Sequence, residues 1–264
     1  MSRLRRMPRQ SRQPDGAAAP ARTGQPGRPQ RRSYDHYCGA ARALDAVGDR
    51  WSLLIVRELL GGARRYTDLH ADLPGVSTDV LASRLRDLER EGVAVRRRLP
   101  PPASAAVYEL TDRGRRLLPV LEALCAWGAE ELAERRPTDA VRAHWFALPL
   151  RGRLAALGGV GVAEVHVDEG VFHVFVGQCP EGGSPPGALS AAGSGGEPGA
   201  VYGDGPAPGE PDALLRLDSA TCAEVVAGAL GVGEAVRSGR LLVDGDGPLA
   251  KALLGAGGRH QDTG

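Results

Sequence analysis

The stretch Val76–Gly92, with the sequence VSTDVLASRLRDLEREG, decides how the rest of the chain is interpreted. Ser77 is predicted to cap a helix, because its hydroxyl can accept a hydrogen bond from a free amide of the first turn. Gly92 is predicted to end that helix, since glycine adopts a positive φ at little cost. Leucines recur at helical spacing and share one face, opposite a polar face; they are Leu81, Leu85 and Leu88. Such a pattern is also typical of an ordinary surface helix, so the flanking segments decide between the two.

Two short helical runs precede this segment, and two strand-like runs follow it. The upstream runs end at the turn dipeptides Gly61-Gly62 and Pro74-Gly75. The downstream runs, Val93–Leu99 and Ala106–Leu110, are rich in β-branched residues and lie on either side of three prolines. This order of elements is that of a winged helix-turn-helix, in which the third helix enters the DNA major groove.

Seven motifs in this region resemble those of the HxlR-type bacterial transcriptional regulators. They are Tyr37-Cys38-Gly39, VGDRWSLLI (47–55), Arg57-Glu58-Leu59, RRYTDL (64–69), LPGVS (73–77), LASRLRDLE (81–89) and YELTDRG (108–114). The resemblance covers about a hundred residues, from Asp35 to Ala133. It implies a winged helix-turn-helix domain over residues 34–136 that binds double-stranded DNA. It also implies a homodimer, in which a long helix predicted over residues 113–134 pairs with its twin and with the first helix; packing of that helix on the second domain alone is the alternative.

The resemblance places the DNA contacts in three parts of this domain. Arginines in the turn before the second short helix are expected at phosphates, although a solvated turn is the alternative. Asp79 departs from the family pattern, which is often basic there; its carboxylate could accept from cytosine N4 or cap the first turn. The predicted DNA-contacting residues are Arg64 and Arg65 in the turn, Ser77, Thr78, Ser83, Arg84 and Arg86 on the third helix, and Arg97 in the wing.

Cys38 is the one candidate for redox chemistry. It stands near the start of the first predicted helix, where a helix dipole favours the thiolate. In HxlR-type regulators a cysteine is common here and in some members is a redox or electrophile sensor, whereas in others it only packs near a dimer contact. The four cysteines are widely spaced, so they indicate neither a disulfide framework nor a zinc site. No metal or cofactor is predicted.

Charge is distributed unevenly along the 264 residues. Residues 1–33 carry a net charge of +8, residues 34–136 a net charge of 0, and residues 137–264 a net charge of −7. A nucleic-acid partner is therefore plausible at the front of the chain and disfavoured at the back. The segment 1–33 is almost devoid of apolar residues and is predicted to be a disordered basic tail. It is interpreted as a spacer or a misplaced start of translation, or alternatively as an arm that adds salt-sensitive DNA affinity.

No apolar run reaches eighteen residues and no signal-peptide pattern occurs, so the chain is predicted to be cytoplasmic, with no membrane partner. A second domain is predicted over residues 137–264. Two alternating runs around Asp168-Glu169-Gly170 predict a β-hairpin. Residues 178–211 are rich in Gly, Pro, Ser and Ala and are predicted to form a flexible insertion. The predicted fold class of the whole chain is mainly α with α+β: a winged helix-turn-helix followed by an α+β domain.

The last part of the chain is similar to the sterol-carrier-protein-type (SCP2-like) lipid-binding domain. The resemblance is carried by Leu217-Asp218 with the following helix, by RSGRLLVDGD (237–246), and by the order strand, helix, helix, strand, helix. It implies an apolar tunnel and hence an apolar or lipid-like ligand. Residues that could line the tunnel, with plain core packing as the alternative for each, are Val225, Val226, Leu230, Val236 and Leu253.

Catalysis is not expected. His166 and His173 lie on the predicted hairpin, but no base–nucleophile arrangement, paired carboxylates or metal-ligand spacing accompanies them. The sequence therefore predicts a dimeric DNA-binding regulator, in which an apolar ligand in the second domain shifts the spacing of two recognition helices. One alternative is a redox- or electrophile-sensing regulator that acts through Cys38, with an inert second domain. Another is an interaction protein without an effector.

Overall fold

The computed structural model describes residues 33–101, 105–132, 134–177 and 199–258. The predicted tail, apart from its last residue, and most of the predicted insertion, residues 178–198, lie outside the described residues. The helices of the first half are α1 (Gly39–Val47), α2 (Ser52–Leu60), α3 (Tyr66–Asp72), α4 (Thr78–Arg90), α5 (Asp112–Arg115) and α6 (Leu118–Trp127). Its strands are β1 (Arg64–Arg65), β2 (Ala94–Arg98) and β3 (Ala106–Leu110).

Helices α2, α3 and α4 together with the three strands form a winged helix-turn-helix, as the sequence predicted. The strands lie in the order β1-β3-β2, and both pairs are antiparallel. The three leucines of α4 are buried. They pack in the same apolar core as Ile55, Val56 and Leu69, so α4 is anchored by one face to the helices before it.

The prediction of one long helix over residues 113–134 is wrong. The structure has α5, then α6, then a 3-10 turn at Ala129–Leu132. Pro119 stands in the first turn of α6 and has no amide hydrogen, so it cannot continue the ladder of helical hydrogen bonds from α5. Leu121 is the buried residue of α6, whereas Val120, Leu124 and Trp127 are exposed.

The second half forms an α+β unit around a five-stranded sheet. Its helices are α7 (Ala147–Ala155), α8 (Ser219–Ala227), α9 (Val232–Arg237) and α10 (Pro248–Gly258). Its strands are β4 (Gly161–Val167), β5 (Gly170–Val176), β6 (Tyr202–Asp204), β7 (Ala213–Arg216) and β8 (Leu242–Asp244), in the order β6-β5-β4-β7-β8. The β4–β5 pair is the predicted hairpin, closed by Asp168 and Glu169. The predicted order from strand β7 to helix α10 is present, whereas the resemblance to sterol-carrier proteins stays a prediction.

Part of the predicted insertion is regular structure, so that prediction is wrong for residues 202–204. Strand β6 pairs with β5, and Tyr202 is 1% exposed. The amide of Val201 donates to the carbonyl of Leu60 at 3.0 Å, which ties the segment to the end of α2. Val201 and Tyr202 supply an apolar pair, and the glycine- and proline-rich composition of the surrounding segment hides that signal.

A single apolar core runs through both halves of the described chain. Four of the predicted tunnel residues are buried in it, namely Val225, Val226, Leu230 and Leu253, and Val236 packs against it. The alternative of plain core packing therefore accounts for their positions, and a tunnel stays a prediction. Among the described residues, no helix is long and apolar enough to cross a membrane.

Candidate nucleic-acid interface

The start of α4 is held by two side-chain hydrogen bonds. The Ser77 hydroxyl accepts from the amide of Val80 at 3.3 Å, so Ser77 is the N-cap that the sequence predicted. The hydroxyl of Tyr66, at the start of α3, donates to the carbonyl of Thr78 at 2.7 Å. At the other end Gly92 has a φ of 65°. These contacts fix where the helix begins and ends relative to α3.

The outer face of α4 is polar and open. Ser77, Thr78, Asp79 and Arg86 are exposed, and Ser83 is half-buried. Since Ser77 already caps the helix, capping is not required of Asp79, whose carboxylate lies in the first turn. Hydroxyl, carboxylate and guanidinium groups on one exposed helix face are the groups that read base edges and phosphates in a major groove.

Arg84 is turned toward the protein rather than away from it. Its guanidinium pairs with the carboxylate of Asp49, in the connection between α1 and α2, and with Asp87 at 3.2 Å. Its side chain is 23% exposed. The geometry gives Arg84 a role in holding α4 to that connection, and a DNA contact by Arg84 stays a prediction that would require exchange of these partners.

The neighbouring arginines of β1 lie in different environments. The Arg64 side chain is 16% exposed, and its guanidinium lies 4.0 Å from the carboxylate of Asp72. Arg65 is exposed, and its backbone amide donates to Asp68 at 3.2 Å. Arg65 is therefore placed to reach a phosphate near the start of α3, while Arg64 is directed toward the interior.

The wing carries three exposed arginines on β2. Arg97 donates to both carboxylate oxygens of Glu109 on β3, with its shortest contact at 3.0 Å, so its charge is partly neutralised. Arg96 and Arg98 point to the other face of the strand because side chains alternate along it. The sequence singled out Arg97. Arg96 and Arg98 could have been added to the candidate wing residues from the alternation along the strand. The register sets Arg96 opposite Tyr108 and Arg98 opposite Ala106.

Cys38 is exposed and stands at the N-cap position of α1. Hydrogen bonds from the backbone amides of Ala41 and Ala40 lower the pKa of its thiol. A thiolate at a helix N-terminus is nucleophilic and open to oxidation, which is the chemistry that the sequence anticipated for this residue. A sensing role stays a prediction. Burial raises the pKa of the Cys222 thiol to about 12, so that cysteine is inert by comparison.

Comparison with known proteins bears on the first half of the chain. Residues 46–136 match the family model for the HxlR-like helix-turn-helix. An uncharacterized HTH-type transcriptional regulator of Bacillus subtilis (strain 168), YvaP, is 40% identical over 89 residues, which are 34% of this chain and 82% of that protein. The HTH-type transcriptional regulator YodB of the same organism is 33% identical over 99 residues, 38% of this chain and 86% of YodB.

The solved structure of the reduced form of YodB from B. subtilis is 30% identical and covers 35% of this chain and 94% of that chain, with a TM-score of 0.33. The family match ends at residue 136, so it does not extend to the α+β unit. Both relatives are named as HTH-type transcriptional regulators. The similarity to YvaP spans more than two thirds of that protein, and the family match over residues 46–136 includes α2, α3, α4 and the three strands of the winged helix-turn-helix. The chain belongs to the HxlR-like helix-turn-helix family.

Proposed function

We propose that this protein binds specific double-stranded DNA as a homodimer, with α4 in the major groove, and that its α+β unit senses an apolar ligand. One observation carries the DNA-binding part. The leucine face of α4 is buried, its start is fixed by Ser77 and Tyr66, and its polar face is exposed. A helix anchored on one side and open on the other is what groove recognition requires.

Phosphate contacts are assigned to the exposed cations around α4. Arg86 lies on α4 and Arg65 lies before α3, and both are exposed. Arg97 contributes from the wing after release of Glu109. Thr78 and Ser83 are the candidates for base edges, since hydroxyl groups can donate to or accept from either kind of base pair. Ser77 is assigned to the sugar-phosphate backbone of the DNA near the start of α4.

The DNA-binding proposal is tested with a duplex from the region upstream of the protein's own coding sequence. Wild-type protein is expected to bind it by fluorescence anisotropy at 50 mM salt and more weakly at 200 mM salt. Arg86→Ala is expected to weaken binding and to reduce the salt slope by about 0.9 for the lost phosphate contact. The matched control is Arg216→Ala, at an exposed position of β7, which should leave both the affinity and the salt slope unchanged. Absence of wild-type binding at low salt would sink the proposal.

The dimer is proposed from unpartnered apolar side chains on the first and sixth helices. Trp127 is 84% exposed, and Leu44 on α1 is 50% exposed. Burial of such side chains against a second copy would be favourable by about 25 cal/mol per Å². Sedimentation of the wild-type protein is expected to report a dimer, and Trp127→Ser is expected to shift it toward monomer. A wild-type monomer at micromolar concentration would contradict this part.

The apolar ligand is proposed from the resemblance of the α+β unit to a lipid-binding domain. The residues proposed to line the ligand site are Val225, Val226, Leu230, Val236 and Leu253. Native mass spectrometry of the purified protein is expected to show a co-purifying adduct, which organic extraction removes. A protein that carries only its own mass, and whose thermal stability is unchanged by medium-chain fatty acids, would contradict the proposal.

Cys38 supports a second candidate, a regulator that releases DNA when its thiol is oxidised. Its exposure at the start of α1 and its lowered thiol pKa favour reactivity. The similar regulator YodB has been solved in a reduced form. Treatment with a thiol oxidant is expected to release DNA from the wild type but not from Cys38→Ser. Equal release from both proteins would exclude this candidate.

A further inference from the structure

The second half of the chain places a histidine against the most deeply buried carboxylate of the DNA-binding half. Glu58, in α2, is fully buried. One of its oxygens accepts from Arg57 at 2.6 Å and from the indole of Trp145 at 3.1 Å. The other lies 2.8 Å from Nε2 of His144. His144 and Trp145 belong to a 3-10 turn, Ala143–Phe146, that precedes α7. We name these four residues the Glu58 cluster.

The opposite side of the His144 ring faces strand β6. Its Nδ1 lies 3.6 Å from the carboxylate of Asp204, and the ring stacks on Tyr202 with centroids 6.2 Å apart. The Tyr202 hydroxyl donates in turn to the carbonyl of Arg57 at 2.7 Å. His144 therefore joins α2, in the first half of the described chain, to β6, in the second half.

The same 3-10 turn is tied to the end of α3. Arg142, which precedes the turn, donates to the carbonyl of Ala71 at 3.2 Å. The carboxylate of Asp72, the last residue of α3, lies within 4.8 Å of ligand atoms of Glu58 and His144. Helix α3 leads directly into the turn before α4. Contacts from the α+β unit thus hold both helices that support the recognition helix.

Electrostatics make His144 a cation in this position. Burial by itself would lower the pKa of His144, but the carboxylates of Asp204 and Glu58 outweigh it and raise the pKa to about 9. The charged groups that face the ring are Glu58, Asp72, Asp204, Arg57 and Arg64. Three carboxylates are thereby balanced by two guanidinium groups and one imidazolium. Removal of the imidazolium leaves three carboxylates with two guanidinium groups, so negative charge is in excess at a buried site.

A metal site is the rival interpretation of Glu58 and His144, together with the neighbouring Asp72. Glu58, Asp72 and His144 offer ligand atoms within 4.8 Å of one another. Both oxygens of Glu58, however, already accept hydrogen bonds, and a metal bound at His144 would first have to displace the proton of the ring. The contacts therefore favour an ion pair over a metal centre.

We propose that His144 is a positioning residue for DNA binding: it braces α2 and α3 from behind, so that the α+β unit holds the recognition helix in its binding arrangement. The inference rests on the proposed DNA-binding function and deepens it. It makes the α+β unit a structural part of the DNA-binding machinery. A ligand of that unit would act on DNA through this contact.

The test uses the full chain and four proteins: wild type, His144→Gln, the double variant Glu58→Gln/His144→Gln, and His166→Gln as control. His166 is a partly exposed histidine of β4, paired with Glu164 at 2.8 Å. His144→Gln is expected to weaken specific DNA binding by about 3- to 30-fold. The salt slope should stay unchanged, because no phosphate contact is lost. The control should bind as the wild type does.

The double variant separates positioning from simple packing. Glu58→Gln removes one carboxylate and so restores the balance between negative and positive groups that His144→Gln upsets, and the double variant is therefore expected to bind DNA more tightly than His144→Gln alone. A pH series adds a second readout. Wild-type affinity should fall as the pH rises through about 9, whereas His144→Gln should lack that step.

Each outcome decides the inference. His144→Gln binding within about twofold of wild type, or a double variant that binds more weakly than His144→Gln, would overturn it. One equivalent of zinc in the purified wild type, absent from His144→Gln, would replace the brace with a metal centre. If the wild type fails to bind DNA, the proposed function fails, and hydrogen exchange still tests the brace: His144→Gln should exchange faster in α3 than wild type, with α10 unchanged.

Discussion

The two sides of the helix-turn-helix use pairs of acidic and basic residues for opposite purposes. The front is the exposed side of α4, and the back is the side of α2 and α3 that contacts the α+β unit. On the front, Arg90 pairs with Asp87 at 2.7 Å, and its side chain is 48% exposed. On the back, Glu58 and His144 are paired at 2.8 Å with side chains 0% and 2% exposed. An exposed pair contributes about 0–1 kcal/mol, whereas breaking a buried pair costs about 3–5 kcal/mol. Charge on the front can exchange partners at little cost, as the proposed phosphate contacts require, while charge on the back is committed to the fold.

The largest effect should come from the back. Glu58→Ala removes the carboxylate that pairs with buried His144 and half-buried Arg57, and is expected to lower the free energy of unfolding by about 3–5 kcal/mol. Chemical denaturation followed by circular dichroism measures the change. Glu131→Ala, at a 79% exposed side chain, is the matched control and should cost little. Equal small losses in the two variants would erase the contrast between front and back.

The anchoring face of α4 comes next. Leu85→Ala removes a side chain that is 1% exposed and is expected to cost about 2–5 kcal/mol, since the cavity cannot fully close. DNA binding should weaken with it, because the helix loses the support that orients its polar face. Leu254→Ala, at a 47% exposed position of α10, serves as control. A Leu85→Ala protein as stable as the control would show that α4 is not anchored as described.

The back should also respond to pH. The pKa of His144 is raised in the folded protein, so its contribution is fully present below the unfolded value of about 6.5. That contribution, on the order of 2–3 kcal/mol, is lost as the pH rises through about 9. Urea midpoints of wild type and His144→Gln between pH 6 and pH 10 measure it. Parallel curves for the two proteins would count against a cationic His144.

The cap of the recognition helix should give a smaller change. Ser77→Ala removes the hydroxyl that accepts from Val80 and is expected to cost about 1 kcal/mol. Ser77→Asp keeps an acceptor and should retain most of the stability, which thermal unfolding can resolve. If Ser77→Asp loses as much as Ser77→Ala, capping is not what this residue does.

The smallest change is expected on the front. Arg90→Ala breaks an exposed i,i+3 ion pair and should alter stability by less than about 0.5 kcal/mol. The denaturation experiment used for Glu58→Ala provides the measurement. A loss of 2 kcal/mol or more would mean that the exposed pair is coupled to the rest of the fold.

Prediction from sequence succeeded where the signal was local. The Ser77 cap, the leucine face of α4, the terminal Gly92 and the hairpin at Asp168 all follow from residue type and spacing. It failed where a local signal was missed or was hidden by the composition around it. Pro119 divides the expected long helix, and the apolar pair at Val201 and Tyr202 is packed by α2 rather than by its own neighbours.

Site residues divide in the same way. Thr78 and Arg86 lie on the exposed face that their helical spacing implied. Arg64 and Arg84 share the charge of their neighbours, yet both are turned toward carboxylates of the protein. No pattern along the chain distinguishes Arg64 from Arg65, because which of the two is desolvated depends on the elements packed around β1.

The sequence by itself determined that a polar-faced helix follows two supporting helices and precedes a wing, because capping, periodicity and turn residues act over a few positions. Only the tertiary structure decided that Glu58 and His144, 86 residues apart, form one buried ion pair. The physical reason is that desolvation has no local signature: the environment of a charge is set by whichever distant residues exclude water from it.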